Sequence, residues 1–296
     1  MRSVGGVCAL LLAAALPLAA QQSSPLSLYL ATTGMYDSNI EHDASDQQTY
    51  GGAVGLGLGF ERNGRLHAVE AQYEVAAHRY ATTDRWNRIS QQFEGAYTLR
   101  PARWLRLQTG VEVSLKGNSE DRDLGNQYAF KPRLELRPTR RTAIRFTGAY
   151  RIKQDESERA KDANNTYLAL EVRQRHEAGG EITLGVRQES NRSNGPDDRY
   201  RRTLYTLELS SPPAARDVLG FTLNYREQRY RYRQVDVDGA SVLRRDQRVT
   251  AGLEYTHRLS PAMAFTLGYE FETRGSNDPR KEYVAHLMSI VVRHQW

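Results

Sequence analysis

The chain ends Tyr283-Val284-Ala285-His286-Leu287-Met288-Ser289-Ile290-Val291-Val292-Arg293-His294-Gln295-Trp296. Counted back in steps of two, Trp296, His294, Val292, Ile290, Met288, His286 and Val284 share one face. Side chains alternate across a strand but return every third or fourth residue on a helix, so this spacing describes a strand. His294 is the one residue out of keeping with an apolar face.

The same alternation runs upstream to Pro25 in segments of about ten residues separated by polar breaks. Leu26, Leu28, Leu30 and Thr32 share a face. Tyr50, Val54, Leu56, Leu58 and Phe60 alternate with Gly51, Ala53, Gly55, Gly57 and Gly59. Ile89, Phe93 and Tyr97 alternate with Ser90, Gln92 and Glu94, and Phe265, Leu267, Tyr269 and Phe271 with Thr266, Glu270 and Glu272. About fourteen such strands fit the chain, and an even number suits a closed antiparallel sheet. Asn63-Gly64 is a favoured pair for a two-residue type I′ turn. It predicts that Phe60 faces His67, Leu58 faces Val69, Leu56 faces Ala71 and Val54 faces Tyr73.

Connections alternate in kind. Short ones carry Asn63-Gly64, Pro101, Pro138-Thr139, Gly179-Gly180, Pro212-Pro213 and Ser260-Pro261. Longer polar ones span 37–48, 78–87, 117–125, 154–164, 189–200, 233–243 and 273–282. Aromatics gather near strand ends. Tyr36, Tyr50, Tyr128, Tyr150, Tyr269, Phe271 and Tyr283 fall toward the long loops, and Phe60, Tyr97, Trp104 and Trp296 toward the short turns.

Composition narrows the class. Only 39% of the 296 residues are hydrophobic and the mean hydropathy is −0.67. A helical membrane protein would need repeated apolar runs of about 20 residues, whereas barrel strands show lipid only every second side chain. Arg2 followed by the apolar run 7–18 and by Leu18-Ala19-Ala20 reads as a signal peptide over 1–20, leaving 21–296 as one exported domain. The single cysteine, Cys8, falls in that leader, which predicts no disulfide in the mature domain. The net charge of +6 is a mild bias without a strongly basic cluster, and implies no nucleic-acid partner.

A chain of such strands that closes on a terminal aromatic resembles bacterial outer-membrane β-barrel proteins. The resemblance implies an all-β, transmembrane, up-and-down antiparallel barrel of about 14 strands, with short periplasmic turns and longer extracellular loops. It also implies that Met288, Ile290, Val292 and Trp296 belong to the signal read by the barrel-assembly machinery. The remaining partners would be outer-membrane lipid and lipopolysaccharide, and small solutes or polysaccharide. The run Gly34-Met35-Tyr36-Asp37-Ser38-Asn39-Ile40 further resembles barrels of exopolysaccharide operons and the barrel domain of surface lipoprotein assembly modifiers.

The inward face of such a barrel is charged by sector. Lys131, Arg133, Arg145, Arg151, Lys153, Arg173 and Arg187 fall on middle strands. Glu70, Glu74 and Glu94 fall on early strands and Glu254, Glu270 and Glu272 on late ones, which closure makes neighbours. Two readings follow: a polar channel with a transverse field, or cross-strand pairs such as Glu112 with Arg133 and Glu135 with Arg145 filling the interior. The run Gly51, Gly55, Gly57 and Gly59 leaves room beside Glu70 and Glu74 and favours the open path. The function read from this is a porin-like passive or weakly selective channel. The alternatives are an accessory barrel for exopolysaccharide or surface-lipoprotein export and, third, an outer-membrane hydrolase.

Three further motifs bear on function. The tract from Tyr225 to Arg233 interleaves tyrosine with arginine and changes phase, which a bulge near Glu227 or a projecting hairpin would explain; it suits lipopolysaccharide, sugars or an exposed aromatic belt. Asp236-Val237-Asp238-Gly239 lacks the spaced carboxylates of a calcium loop and reads as a turn. No histidine is followed two residues later by serine, the pattern of barrel lipid hydrolases, and only His42-Asp43 and Asp121-Arg122-Asp123 could supply a barrel-protease pair. The sequence therefore predicts no enzyme, no cofactor and no metal site.

Overall fold

The computed structural model describes residues 25–44, 46–82, 87–118, 124–155, 158–177 and 179–296. Residues 1–24, with Cys8 and the expected signal peptide, and the triplet 121–123 lie outside the described residues. Fourteen strands form one sheet: β1 (Leu26–Asp37), β2 (Thr49–Asn63), β3 (His67–Tyr80), β4 (Arg88–Ala102), β5 (Leu105–Asn118), β6 (Leu124–Leu136) and β7 (Thr142–Asp155), then β8 (Ala163–Arg175), β9 (Glu181–Ser193), β10 (Tyr200–Ala214), β11 (Asp217–Val237), β12 (Ala240–Arg258), β13 (Met263–Ser276) and β14 (Tyr283–Gln295). Each pairs antiparallel with its chain neighbours, and β14 closes on β1, with Leu30 opposite His294, Thr32 opposite Val292 and Tyr36 opposite Met288. The closing strand is the one quoted above. Closure leaves no sheet edge, the condition for a β-structure to stand in hydrocarbon, where no water can satisfy unpaired backbone groups.

Alternation sorts the side chains as expected. Leu28, Leu56, Leu58, Phe93, Leu168, Leu184, Leu253, Met288 and Ile290 stand exposed on the outside, and Tyr50, Tyr128, Tyr150, Tyr97, Trp104 and Trp296 flank this apolar band. Tyr283 is a correction to that girdle: odd-numbered residues of β14 point inward, and Tyr283 is buried inside the barrel. Followed pair by pair around the sheet, the register returns to β1 displaced by about 18 residues, which fixes a strand tilt of about 45° and a backbone radius of about 14 Å.

One turn differs from the sequence reading. Asn63 pairs with Ala68, so the β2–β3 connection is wider than Asn-Gly predicts, and neither Asn63 nor Gly64 takes a positive φ. Phe60 faces Ala71, Leu58 faces Tyr73, Leu56 faces Val75 and Val54 faces Ala77. The Asn63 side chain is engaged elsewhere: its amide donates to Glu61, and Arg100 donates to its carbonyl at 3.1 Å and to the Gly64 carbonyl at 3.0 Å. The displacement is by an even number of residues, so both faces are preserved. A two-residue turn with both residues at positive φ (50° and 80°) does occur, at Asp238-Gly239, the tip already read as a turn, with the Gly239 N–H donating to Asp236 Oδ1 at 2.8 Å.

That turn caps a ribbon, where the sequence suggested a loop over 233–243. β10 begins opposite Tyr230 and β13 ends opposite Asp246, so β11 and β12 continue as two strands alone. Of the two explanations offered for the phase change in this tract, the projecting hairpin is the one found, with the register irregularity just beyond Glu227 rather than at it. Alternation persists, with Arg226, Gln228 and Tyr230 buried inside, and the register shifts only between Arg229 and Gln234.

The glycines of β2 do not open a path. A Cβ on Gly57 would collide with the Tyr29 ring and one on Gly51 with the Tyr80 ring, so aromatic side chains occupy the space that the missing side chains leave. Tyr29 is buried, donates to Glu74 Oε2 at 2.6 Å, accepts from Gln72 Nε2 at 2.6 Å, and has the Arg293 guanidinium 3.8 Å over its ring. Gly57→Val should therefore lower stability by about 1–3 kcal/mol, the usual range for overpacking. Combining it with Tyr29→Ser should recover most of the loss. The urea midpoint of the heat-modifiable band measures both, and an unchanged midpoint for Gly57→Val would contradict the packing described.

Candidate functional site: the barrel interior

The inner face carries the charges. Every residue of the expected basic and acidic walls sits at an inward position: Glu70 and Glu74 on β3, Glu94 on β4, Lys131 and Arg133 on β6, Arg145, Arg151 and Lys153 on β7, Arg173 on β8, Arg187 on β9, Glu254 on β12, and Glu270 and Glu272 on β13. The two signs are more interleaved than the sectors suggest. Glu135 on β6 is a hub. Arg145 Nε donates to it at 2.8 Å and Arg137 Nε at 2.5 Å, with Arg106 at 3.7 Å and Arg173 at 3.9 Å. Arg145 also reaches Glu171 at 3.6 Å and Arg173 reaches Glu181 at 3.7 Å. Lys131 pairs with Glu112, the partner suggested for Arg133. Arg133 instead donates to Gln108 at 3.1 Å and Thr147 at 3.3 Å.

A cavity of about 180 Å³ opens in this wall between β6 and β10, lined by Arg133, Tyr167, Glu171, Arg187 and Glu208 among others. Tyr167 lies between two guanidiniums, Arg151 at 5.8 Å and Arg187 at 5.2 Å from its ring centroid. Higher up, Tyr230 has Arg233 at 5.6 Å and Arg244 at 4.8 Å, and it meets Tyr200 edge-on at 6.0 Å. Tyr230 belongs to the Tyr/Arg tract whose change of phase the sequence showed; Tyr167 and Tyr200 were not singled out, although they occupy polar-parity positions, where a tyrosine must face the lumen.

The first long loop folds into the mouth. Asn39 and Ile40 are wholly buried and His42 nearly so. His42 Nδ1 lies 3.0 Å from Tyr283 Oη and 3.1 Å from Glu272 Oε1. Glu272 also accepts from Tyr283, from Arg248 Nε at 2.9 Å and from Thr250 at 3.1 Å. Within the loop, Asn39 donates to the Asp43 carbonyl and to Asp46 Oδ1, at 2.8 and 3.0 Å. His42 thus serves as a tether between the loop and the wall. On the rim, the Arg280 guanidinium bonded to Asp278 holds that carboxyl below its usual range, and burial pushes Asp198 up although Arg233 lies 3.6 Å away.

No family model and no curated protein matches the chain. Solved structures do. An anion-selective porin from Comamonas acidovorans superposes with a TM-score of 0.54 at 9% identity, over 92% of this chain and 98% of that one. A bacterial polysaccharide outer-membrane secretin gives 0.54 at 10%, over 92% and 98%. The loop L8 deletion mutant of OmpT, an outer-membrane protein of Vibrio cholerae, gives 0.53 at 10%, over 92% and 99%. The fold is that of a bacterial outer-membrane β-barrel. The outer membrane is accordingly where the protein resides, with lipid against its apolar band.

The tether makes a measurable claim. A hydrogen bond to a charged group contributes about 1.5–3 kcal/mol, so Glu272→Ala should speed amide exchange at Asn39, Ile40 and His42 by about tenfold or more. Exchange unchanged at those amides would show that the loop is held by something else.

Proposed function

We propose that the protein is a passive, weakly selective channel with a mixed-charge lumen. The observation that carries this reading is width. With extended side chains reaching about 7 Å inward, two opposed walls of a barrel of about 14 Å radius leave a central space of about 14 Å. The charged inner face keeps that space hydrated. Arg133 and Arg187 at the wall cavity bias it toward anions, while the acidic residues on β3, β4, β12 and β13 give the opposite side the other sign. Solutes with a dipole or a single charge would be oriented across the passage rather than strongly bound. Purified protein in a planar bilayer should show discrete conductance steps, and Arg133→Glu with Arg187→Glu should move the reversal potential toward cation preference. A silent bilayer from folded protein would sink the channel reading.

A second reading, an accessory barrel for exopolysaccharide or surface-lipoprotein export, is supported by Tyr167. An aromatic face flanked by Arg151 and Arg187 suits a sugar ring bearing acidic groups. Loss of surface polysaccharide or lipoprotein on deletion, with a silent bilayer, would favour it.

The closing strand is also proposed as the assembly signal for the barrel-assembly machinery. Met288, Ile290 and Trp296 stand exposed on the outer face, with Val292 on the same parity. Deleting Trp296, or replacing Val292 with Asp, should leave the chain unassembled in cells, seen as loss of the heat-modifiable band from the outer membrane. Normal levels of folded barrel from both variants would remove the signal from this strand.

A further inference from the structure

The outer face bears a feature that a channel does not need. Arg201 on β10 stands directly opposite Arg229 on β11, and Arg229 directly opposite Arg245 on β12. All three are exposed on the outside of the barrel. Like charges in directly opposed positions of an antiparallel sheet repel, and a row of three on adjacent strands is the least favourable arrangement of them. Little in the fold offsets it. Arg229 is bonded to Glu227, at 2.8 Å through Nε and 2.5 Å through Nη2. Among the described residues, the guanidiniums of Arg201 and Arg245 have no hydrogen-bond or ion-pair partner; Asn277 engages only the Arg245 backbone, accepting from its N–H through Oδ1 and donating its own N–H to the Arg245 carbonyl.

The height of the row identifies what could answer it. On β11 the outward residues run Leu219, Phe221, Leu223, Tyr225, Glu227, Arg229. Tyr225 stacks on Tyr205 at 6.1 Å, marking the upper aromatic belt in this sector. Leu219 lies beside Tyr255, whose hydroxyl donates to Asp217 at the short-turn rim. Ten residues at about 3.3 Å each, tilted by about 45°, place Arg229 roughly 23 Å above Leu219. The apolar band of such barrels is about 25 Å tall, so the row stands where hydrocarbon gives way to headgroups on the long-loop side. Guanidinium forks there match phosphate in charge and in bidentate geometry.

We infer that Arg201, Arg229 and Arg245 form a docking site for the phosphate groups of a phosphorylated glycolipid in the outer leaflet. The lipid supplies the anion that the row lacks, and the row fixes that lipid against β10–β12, below the free ribbon of β11 and β12. The site is independent of whether the lumen conducts.

The test uses the full-length barrel refolded in detergent, with melting followed by heat-modifiable mobility. Bisphosphorylated lipid A at about 100 times its Kd should raise the Tm by roughly 5 °C or more. The double variant Arg201→Gln/Arg245→Gln should lose at least half of that shift, and its lipid-free Tm should not fall, since neither guanidinium bonds to the protein and the repulsion within the row is relieved. The single variants should each lose part of it, which keeps the question open to test should the double variant fail to fold. A full shift in the variants would overturn the inference. So would an equal shift from dephosphorylated lipid A, or from inorganic phosphate at the same phosphate concentration, since the first would make the contact apolar and the second would make the ligand a free anion.

Discussion

The absence of water in the bilayer core governs this molecule. Each backbone N–H and C=O of a spanning strand must find a partner in the sheet, so the β1–β14 seam matters more than any side-chain contact. It is reinforced beyond the strands themselves. Trp296 and Leu28 exchange backbone bonds at one end, with the Trp296 N–H donating at 2.9 Å. At the other end Ser38 N–H donates to the His286 carbonyl at 3.0 Å and Ser38 Oγ accepts from His286 N–H at 2.8 Å. Ser38, within the long connection read over 37–48, therefore also extends the closure.

The same constraint dictates where the charges go. A strand that shows apolar residues to lipid has only its inner face left for arginine and glutamate, and 26% of the chain is charged. Inside, charges stand at cross-strand spacing, and opposite signs on neighbouring strands settle into networks such as the one around Glu135. These are not fully desolvated pairs: Arg106 and Arg145 keep a third and a fifth of their side-chain surface exposed. Lumen water moderates both their attraction and the cost of holding them there.

Period-two alternation was enough to read strand number, closure and facing, because one residue of slip would turn every leucine inward. It was not enough to read register. Asn63-Gly64 has the right composition for a tight turn, but Arg100 on β4, 37 residues away from Asn63, takes its side chain. The glycine run misled for a similar reason: a glycine signals a missing side chain, and only the register shows that Tyr29 stands opposite Gly57. The inward fold of 38–43 could not be read at all, since it depends on Glu272 and Tyr283, which are more than 200 positions distant. Tyr283 was legible and was misplaced, because an aromatic near a strand end was assigned to the girdle without asking which parity it occupied.

These side-chain networks also bear on what the passage can do. A wall whose charges are mostly answered by neighbours projects a weak field beyond a few ångströms, while the barrel radius leaves the centre out of reach of any one side chain. Discrimination then concentrates where the wall is locally concave or the bore is narrowed. The first is the cavity by Arg133, Tyr167 and Arg187. The second is the mouth, where residues 39–42 are drawn in against β13 and β14. Both lie toward opposite sides of the sheet, so a solute held by one would be presented to the other across the full width of the barrel. On the channel reading proposed above, a wide, mutually neutralised tube with two local features would favour weak selection over a tight binding site.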